Sequence, residues 1–316
     1  MTQPATTLAA SASAAALIAL DWGTTSLRAY LFDANGNVLD TRASTAGIMN
    51  LPRPADEGGF DLAFDSVVGA WLDSAPHLPV IAAGMVGSAQ GWKEAPYVSA
   101  PASADALVSG VVRVRTARGA TLNIVPGVLE NGELPNVMRG EETQILGALA
   151  AMGRSEGTFV LPGTHSKWAR VEAGRITSFA TYMTGEVFAA LKDHTILGRL
   201  MDGAAQDGVG FGEGVQAAAR LERPGDVLHA VFMTRTLGLF DRLPPHQLSD
   251  YLSGLLIGAE LLSGARGAQS AVVIGSPALT ARYCAAGAVL GLSLEAAPEN
   301  CAALGQLALL PHWRGR

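Results

Sequence analysis

Hydrophobic residues fall along this chain in short blocks cut by turn signals, and one order of blocks occurs twice. Residues 17–20 form an apolar run of strand length that ends at Asp21-Trp22-Gly23. Residues 27–32 follow as a second strand, Asn35-Gly36 supplies a hairpin turn, and residues 38–41 give a third strand. Residues 158–161, 167–171 and 175–179 repeat the plan, with Ala173-Gly174 at the hairpin. The first connection is itself repeated: residues 23–29 read GTTSLRA and residues 163–169 read GTHSKWA, offset by 140. Two further elements stand out. Residues 271–274 form a β-branched strand that ends at Gly275-Ser276-Pro277, and Pro277 suits the first turn of a helix through 278–286. Around residues 139–143 another helix opens, with Gly140 before it, Glu141 and Glu142 in its first turn and an apolar run behind.

Composition refines this picture. A length of 316 residues exceeds what one core usually organises. We therefore expect a disordered tail over residues 1–16, an N-terminal domain over 17–138, an interdomain helix and hinge over 139–153, and a C-terminal domain over 154–316. Apolar residues make up 49% and charged ones 16%, which fits a globular chain. The formal net charge of -6 disfavours nucleic acid, which asks for a basic patch. Cys284 and Cys301 have no metal-ligand or disulfide spacing, so reduced thiols in a cytoplasmic protein are expected. The apolar run before Asp21 has no Lys or Arg ahead of it and no processing site, and no run reaches the roughly 20 residues of a membrane span. The sequence allows a homodimer and does not require one.

The chemistry lies in the repeated turns. Glycine lets backbone N–H groups close around an anion, and Thr and Ser hydroxyls add donors without bulk. Gly23, Thr24, Thr25 and Ser26 form one cradle; Gly163, Thr164, His165, Ser166 and Lys167 form the other. Asp21 beside the first turn makes sense if Mg²⁺ lies between its carboxylate and phosphate, with water completing the shell. Gly275 and Ser276 are placed to support an adenosine. Trp22 and Trp168 flank the cradles and read as core. The carboxylates of Glu141 and Glu142 either complement the helix dipole or place one base in the site. Helix phase then turns Glu142 about 100° from Glu141, toward solvent. A sequence without G-x-G-x-x-G after its first strand excludes a dinucleotide dehydrogenase.

These segments resemble the sugar kinase, actin and heat-shock chaperone ATPase superfamily: DWGTTS its first phosphate motif, LPGTHSK its second, and residues 272–277 its adenosine motif, with Ser276 where a second glycine is common. More closely, IALDWGTTSLRAYLFD, AAGMVGSAQGWKEAPY, MRGEETQILGAL, LPGTHSKW and TYMTGEVFAAL resemble the 2-dehydro-3-deoxygalactonokinases. The resemblance implies two actin-like, ribonuclease H-like βββαβα domains around a nucleotide and substrate cleft. It implies ATP and Mg²⁺, and phosphorylation of the 6-hydroxyl of 2-dehydro-3-deoxy-D-galactonate in galactonate catabolism. Glu141 aligns with the base that related kinases carry at a helix start, with Asp21 as its rival. Gln90, Trp92, Lys93 and Arg139 are the expected substrate contacts, and Lys93 or Arg139 would pair with the carboxylate. Rival readings are a kinase for another sugar acid or a neutral ketose, and a sugar-sensing or chaperone-like ATPase. Neither the helix-turn-helix of such a regulator nor the extension of such a chaperone finds room in the sequence.

Overall fold

The computed structural model describes residues 15–203, 208–223 and 225–313. The tail expected over residues 1–16 lies outside the described residues through residue 14, while Ala15 and Ala16 already belong to the first strand. Strands in chain order are β1 (Ala15–Trp22), β2 (Leu27–Asp33), β3 (Val38–Ser44), β4 (Val80–Ala83), β5 (Val98–Ser99), β6 (Val112–Arg115) and β7 (Thr121–Ile124). They continue as β8 (Val128–Glu130), β9 (Asn136–Met138), β10 (Gly157–Leu161), β11 (Ser166–Glu172), β12 (Arg175–Tyr182), β13 (Ser270–Val273) and β14 (Ser293–Ala296). Helices are α1 (Gly59–Ser74), α2 (Ala104–Ser109), α3 (Glu141–Met152), α4 (Thr184–His194) and α5 (Val209–Ala218). After them come α6 (Asp226–Leu239), α7 (Pro245–Gly264), α8 (Pro277–Leu290) and α9 (Cys301–Trp313). None of the described helices is long and apolar enough to cross a membrane.

Two compact units result. One holds the chain up to Glu156, together with Glu172–Ser178 and the segment from Pro298 onward; the other holds Gly157–Val171 and Phe179–Ala297. This grouping departs from the expected division at three places, of which Glu172–Ser178 is the shortest. Helix α3, expected between domains, belongs to the first unit, and so does α9, expected in the second.

The duplication read in the sequence is a duplication of sheets. The first unit orders its strands β3-β2-β1-β4-β7-β6, the second β12-β11-β10-β13-β14. In the first, β1 runs antiparallel to β2 and parallel to β4, which is parallel to β7. In the second, β10 runs antiparallel to β11 and parallel to β13, which is parallel to β14. Central β1 buries Leu17–Leu20 without alternation because elements cover both faces; edge strand β3 has no buried residue.

Glycines bring helices together in each unit. A Cβ on Gly147 of α3 would overlap the carbonyl of Cys301, and one on Gly305 of α9 would overlap that of Thr143. Likewise Gly214 of α5 meets the carbonyl of Tyr251, and Gly254 of α7 meets that of Phe211. Helix α9 is fastened to the first sheet by Gln306, whose buried carboxamide accepts from Leu20 N (2.9 Å) and donates to Leu20 O (2.8 Å).

Candidate active site

The first cradle is the β1–β2 turn. Gly23 N donates to Ser26 O at 2.9 Å, leaving Thr24 and Thr25 exposed at the tip. A segment that returns after β3 braces it: Ile48 N donates to Gly23 O (3.1 Å) and Met49 N to Thr24 O (3.0 Å). Gly47 is pressed so closely against the turn that a Cβ would overlap Ser26 N and Thr24 O. Beneath the turn Trp22 is fully buried, donates to Ala46 O at 3.0 Å and meets Phe60 edge-on, so it packs as core.

At the same end of the sheet, three backbone segments converge. Strand β4 ends at Ala83, and Gly84 follows with φ 96° and ψ -153°, a conformation that glycine alone takes readily. A Cβ there would lie 2.8 Å from Trp22 O and 3.8 Å from Asp21 Oδ1. Gly140, with φ 106°, presents its Cβ direction 3.2 Å from Gly84 Cα. The two glycines thus bring Asp21 and the start of α3 together. Asp21 is half-buried; desolvation raises its pKa, and the Arg28 guanidinium opposes that rise.

The two glutamates divide unexpectedly. Glu141 is half-buried and its Oε2 accepts from Arg139 N at 2.9 Å. Glu142 does not face solvent: it is 0% exposed, and both its oxygens lie within reach of Gly140 N, at 2.9 and 2.7 Å. Burial first, and the neighbouring Glu141 charge second, push its pKa up to about 8. Glu142 thus folds back on the turn that opens its own helix, while the Thr143–Gly147 face of α3 packs against α9 through Gly147 and Gly305.

Of the expected substrate contacts, Gln90 and Lys93 are exposed, and Lys93 Nζ donates to Arg113 O at 2.9 Å. Trp92 is instead part of an aromatic cluster, stacked on Phe60 (centroids 5.6 Å apart, 10° between planes) and edge-on to Trp22 and Phe64. Arg139 lays its guanidinium 4.4 Å from the Tyr97 ring centre and donates from Nη2 to Ala95 O at 2.8 Å. It therefore ties the loop after β4 to the start of α3.

The second cradle is the β10–β11 turn, and its residues divide between the exposed tip and the buried start of β11. Thr164 and His165 are exposed at the tip. Ser166 and Lys167, expected beside phosphate, are the first residues of β11 and are buried: Ser166 is 0% exposed and Lys167 Nζ donates to Thr181 Oγ1 at 3.0 Å. Helix α4 braces the turn. Glu186 N donates to Thr164 O at 3.0 Å, Glu186 Oε2 pairs with His165 Nε2, and a Cβ on Gly185 would overlap Gly163 O. Gly185 is thus to the second turn what Gly47 is to the first. Gly275 lies against Pro162 and Thr280, with a Cβ direction 3.5 Å from each, and Ser276 caps α8 by accepting from Leu279 N at 3.5 Å. Trp168 is buried, as expected of a core residue.

Sequence reasoning missed Gly47, Gly84 and Gly185, together with a buried Glu260 and Tyr283 beneath the second turn. The glycines had a signal: Gly47 and Gly185 follow their hairpins at nearly equal distances. Among the described residues, no three His, Cys, Asp or Glu side chains gather as metal ligands. Mg²⁺ asks for less, because phosphate oxygens and water supply most of its shell. One half-buried carboxylate beside a donor-rich turn fits that need.

A family model for 2-keto-3-deoxy-galactonokinase matches residues 21–309. The 2-dehydro-3-deoxygalactonokinase of Escherichia coli (strain K12) is 35% identical over 289 residues, 90% of this chain and 94% of that protein. A protein of Rhizobium meliloti (strain 1021) assigned the same activity is 35% identical over 283 residues, 88% of this chain and 90% of its own. A crystal structure of a Sinorhizobium meliloti protein, again assigned as a 2-dehydro-3-deoxygalactonokinase, matches with a TM-score of 0.83 at 32% identity, covering 94% of this chain and 98% of that one. The activator of 2-hydroxyisocaproyl-CoA dehydratase from Clostridium difficile, solved with ADPNP, shares the fold at a TM-score of 0.51 and 12% identity, covering 95% and 96%. The chain belongs to the 2-keto-3-deoxy-galactonokinase family, and with it to the carbohydrate kinases of two-domain, actin-like fold.

Proposed function

We propose that this protein transfers the γ-phosphoryl group of ATP to the 6-hydroxyl of 2-dehydro-3-deoxy-D-galactonate, in the cytoplasm, as a step of galactonate breakdown. The observation that carries the reading is the convergence of Asp21, Gly84 and the start of α3 beside an exposed Gly-Thr-Thr turn. Carboxylates and phosphate donors meet there as phosphoryl transfer requires, with positioning and electrostatics doing most of the catalysis.

The exposed N–H groups and hydroxyls of Thr24, Thr25 and Thr164 bind phosphate oxygens. His165, held by Glu186, adds a donor, and Gly275 and Ser276 support the adenosine. Bound Mg²⁺ would neutralise charge on the transferring group, and Asp21 is the residue to hold it, through water. Glu141 accepts the proton of the sugar hydroxyl as its bond to phosphorus forms. The substrate carboxylate pairs with Lys93, whose ammonium is exposed, while the Arg139 guanidinium holds the loop around Ala95 and Tyr97.

Side-by-side kinetics of Glu141→Gln, Glu142→Gln and Asp21→Asn test the roles. Glu141→Gln should lower kcat by ~10²–10⁴-fold and leave ATP binding intact. Asp21→Asn should lose activity and weaken its dependence on added Mg²⁺. Glu142→Gln should keep kcat within about tenfold, since it replaces one neutral, buried group by another. Wild-type turnover by Glu141→Gln would remove it as the base and leave Asp21 in that role.

A further inference from the structure

Beneath the second turn lies a buried polar cluster that none of the roles above uses. Its centre is Glu260 on α7, 3% exposed. Glu260 Oε1 accepts from Trp168 Nε1 on β11 at 2.9 Å, and Oε2 accepts from the Tyr283 hydroxyl on α8 at 2.8 Å. The Tyr283 oxygen is 3.1 Å from Ser166 Oγ, and Ser166 Oγ in turn lies 3.5 Å from Gly163 N. Thr184, at the start of α4, also hydrogen-bonds the carboxylate. With the Tyr283 proton committed to Glu260, the Ser166 hydroxyl donates to Tyr283 and accepts from Gly163. The bonds align head to tail, and a carboxylate at one end strengthens each of them.

The cluster joins the segments around the second turn and the Gly275-Ser276 turn. Ser166 and Trp168 hold the strand that leaves the second turn. Tyr283 is on the helix that begins at Ser276, after Gly275. Thr184 opens the helix whose Gly185 braces Gly163. A buried carboxylate is costly unless fully hydrogen-bonded, and an apolar residue would fill the same space more cheaply. Burial does raise the pKa of Glu260, while its hydrogen-bond donors Thr184, Trp168 and Tyr283 act against that rise. An acid kept there at that cost does something other than fill the core.

We propose that Glu260 is a positioning residue for the nucleotide: through Tyr283 and Ser166 it fixes the spacing between the Gly163-Thr164 turn and the Gly275-Ser276 turn. It touches neither ATP nor sugar acid and acts only by holding those two turns in register. The proposal rests on the reading that both turns hold ATP.

The test is steady-state kinetics of Tyr283→Phe, which removes one hydroxyl from an otherwise unchanged ring, beside Glu260→Gln, Trp168→Phe and Thr164→Ala. Tyr283→Phe should raise the KM for ATP by about fivefold or more, the worth of one buried hydrogen bond. The KM for the sugar acid should stay within twofold. Glu260→Gln retains one acceptor oxygen and should show a smaller rise of the same kind. Trp168→Phe leaves the link from Glu260 to Ser166 intact, so it should lower Tm without moving the KM for ATP. If Tyr283→Phe lowers Tm and moves neither KM, or moves both equally, the cluster merely stabilises the unit and the proposal is overturned. Thr164→Ala separates the two readings. Should it leave the KM for ATP unchanged, the turn does not hold nucleotide; should it raise that KM while Tyr283→Phe does not, only the positioning role falls.

Discussion

Buried between Glu141 and the Gly140 turn, Glu142 keeps its proton up to about pH 8, whereas in an unfolded chain it would lose it near the ordinary glutamate value of 4.5. Below the lower value both states are protonated and the group is silent. Between the two the folded state binds more protons, so stability falls as pH rises, and above the higher value the penalty is complete. Asp21 and Glu260, also raised by burial, add slopes of the same sign. Thermal melts from pH 5 to 8.5 should therefore show Tm falling more steeply in the wild type than in Glu142→Gln. Equal slopes would mean that Glu142 ionises like any surface carboxylate. Helix phase alone turns this residue toward solvent, because it lies about 100° round from Glu141. In the structure the carboxylate is instead buried and folds back on Gly140 N. The strand expected from Lys167 begins one residue earlier, and both Ser166 and Lys167 are buried rather than displayed at the tip.

Between elements, the cradles depend on segments that return to them from beyond the hairpin. The turns themselves were legible, because Gly, Thr and Ser at matched offsets leave a trace in one dimension. Their braces were not, because closeness of Gly185 to Gly163 exists only once α4 has folded back. TYMTGEVFAAL counted toward the family resemblance without a role; its role is to carry Gly185 and Glu186 to the second turn. Gly185→Ala should displace Gly163 and raise the KM for ATP by roughly tenfold or more, equivalent to about 1.4 kcal/mol of binding. A far-ultraviolet spectrum like the wild type's would show that the helix itself persists. An unchanged KM for ATP would mean that the turn adapts to the extra methyl group.

Across the whole molecule, strand order shows the duplication more clearly than the seven-residue motif that announced it. Five strands of each unit follow one plan, and each unit uses a glycine-lined helix pair, α3 with α9 and α5 with α7. Unit boundaries could not be read from local signals, because the chain passes between units several times and α9 completes the unit that β1 began. Gln306→Leu, close to isosteric, would leave Leu20 N–H and C=O without the partner that Gln306 gives them. It should cost ~2–4 kcal/mol of stability, read as a lower urea midpoint with unchanged m-value. A midpoint equal to the wild type's would show that the helix is held by its apolar contacts alone.

The bond between Gln306 and Leu20 spans 286 positions of chain, and this sets an order of events during synthesis. The first strand leaves the ribosome long before its partner helix exists. Translation must deliver everything up to Ala297 before α9 can dock, so the later-encoded unit has all its pieces while the earlier one still waits for its last helix. During that interval the face of β1 and α3 that α9 will cover stands open. A nascent chain stalled before Cys301 should accordingly be sensitive to protease in its first 156 residues and engage chaperones there, while residues 179–297 resist. Release of the remaining residues then closes the molecule at the point where it started.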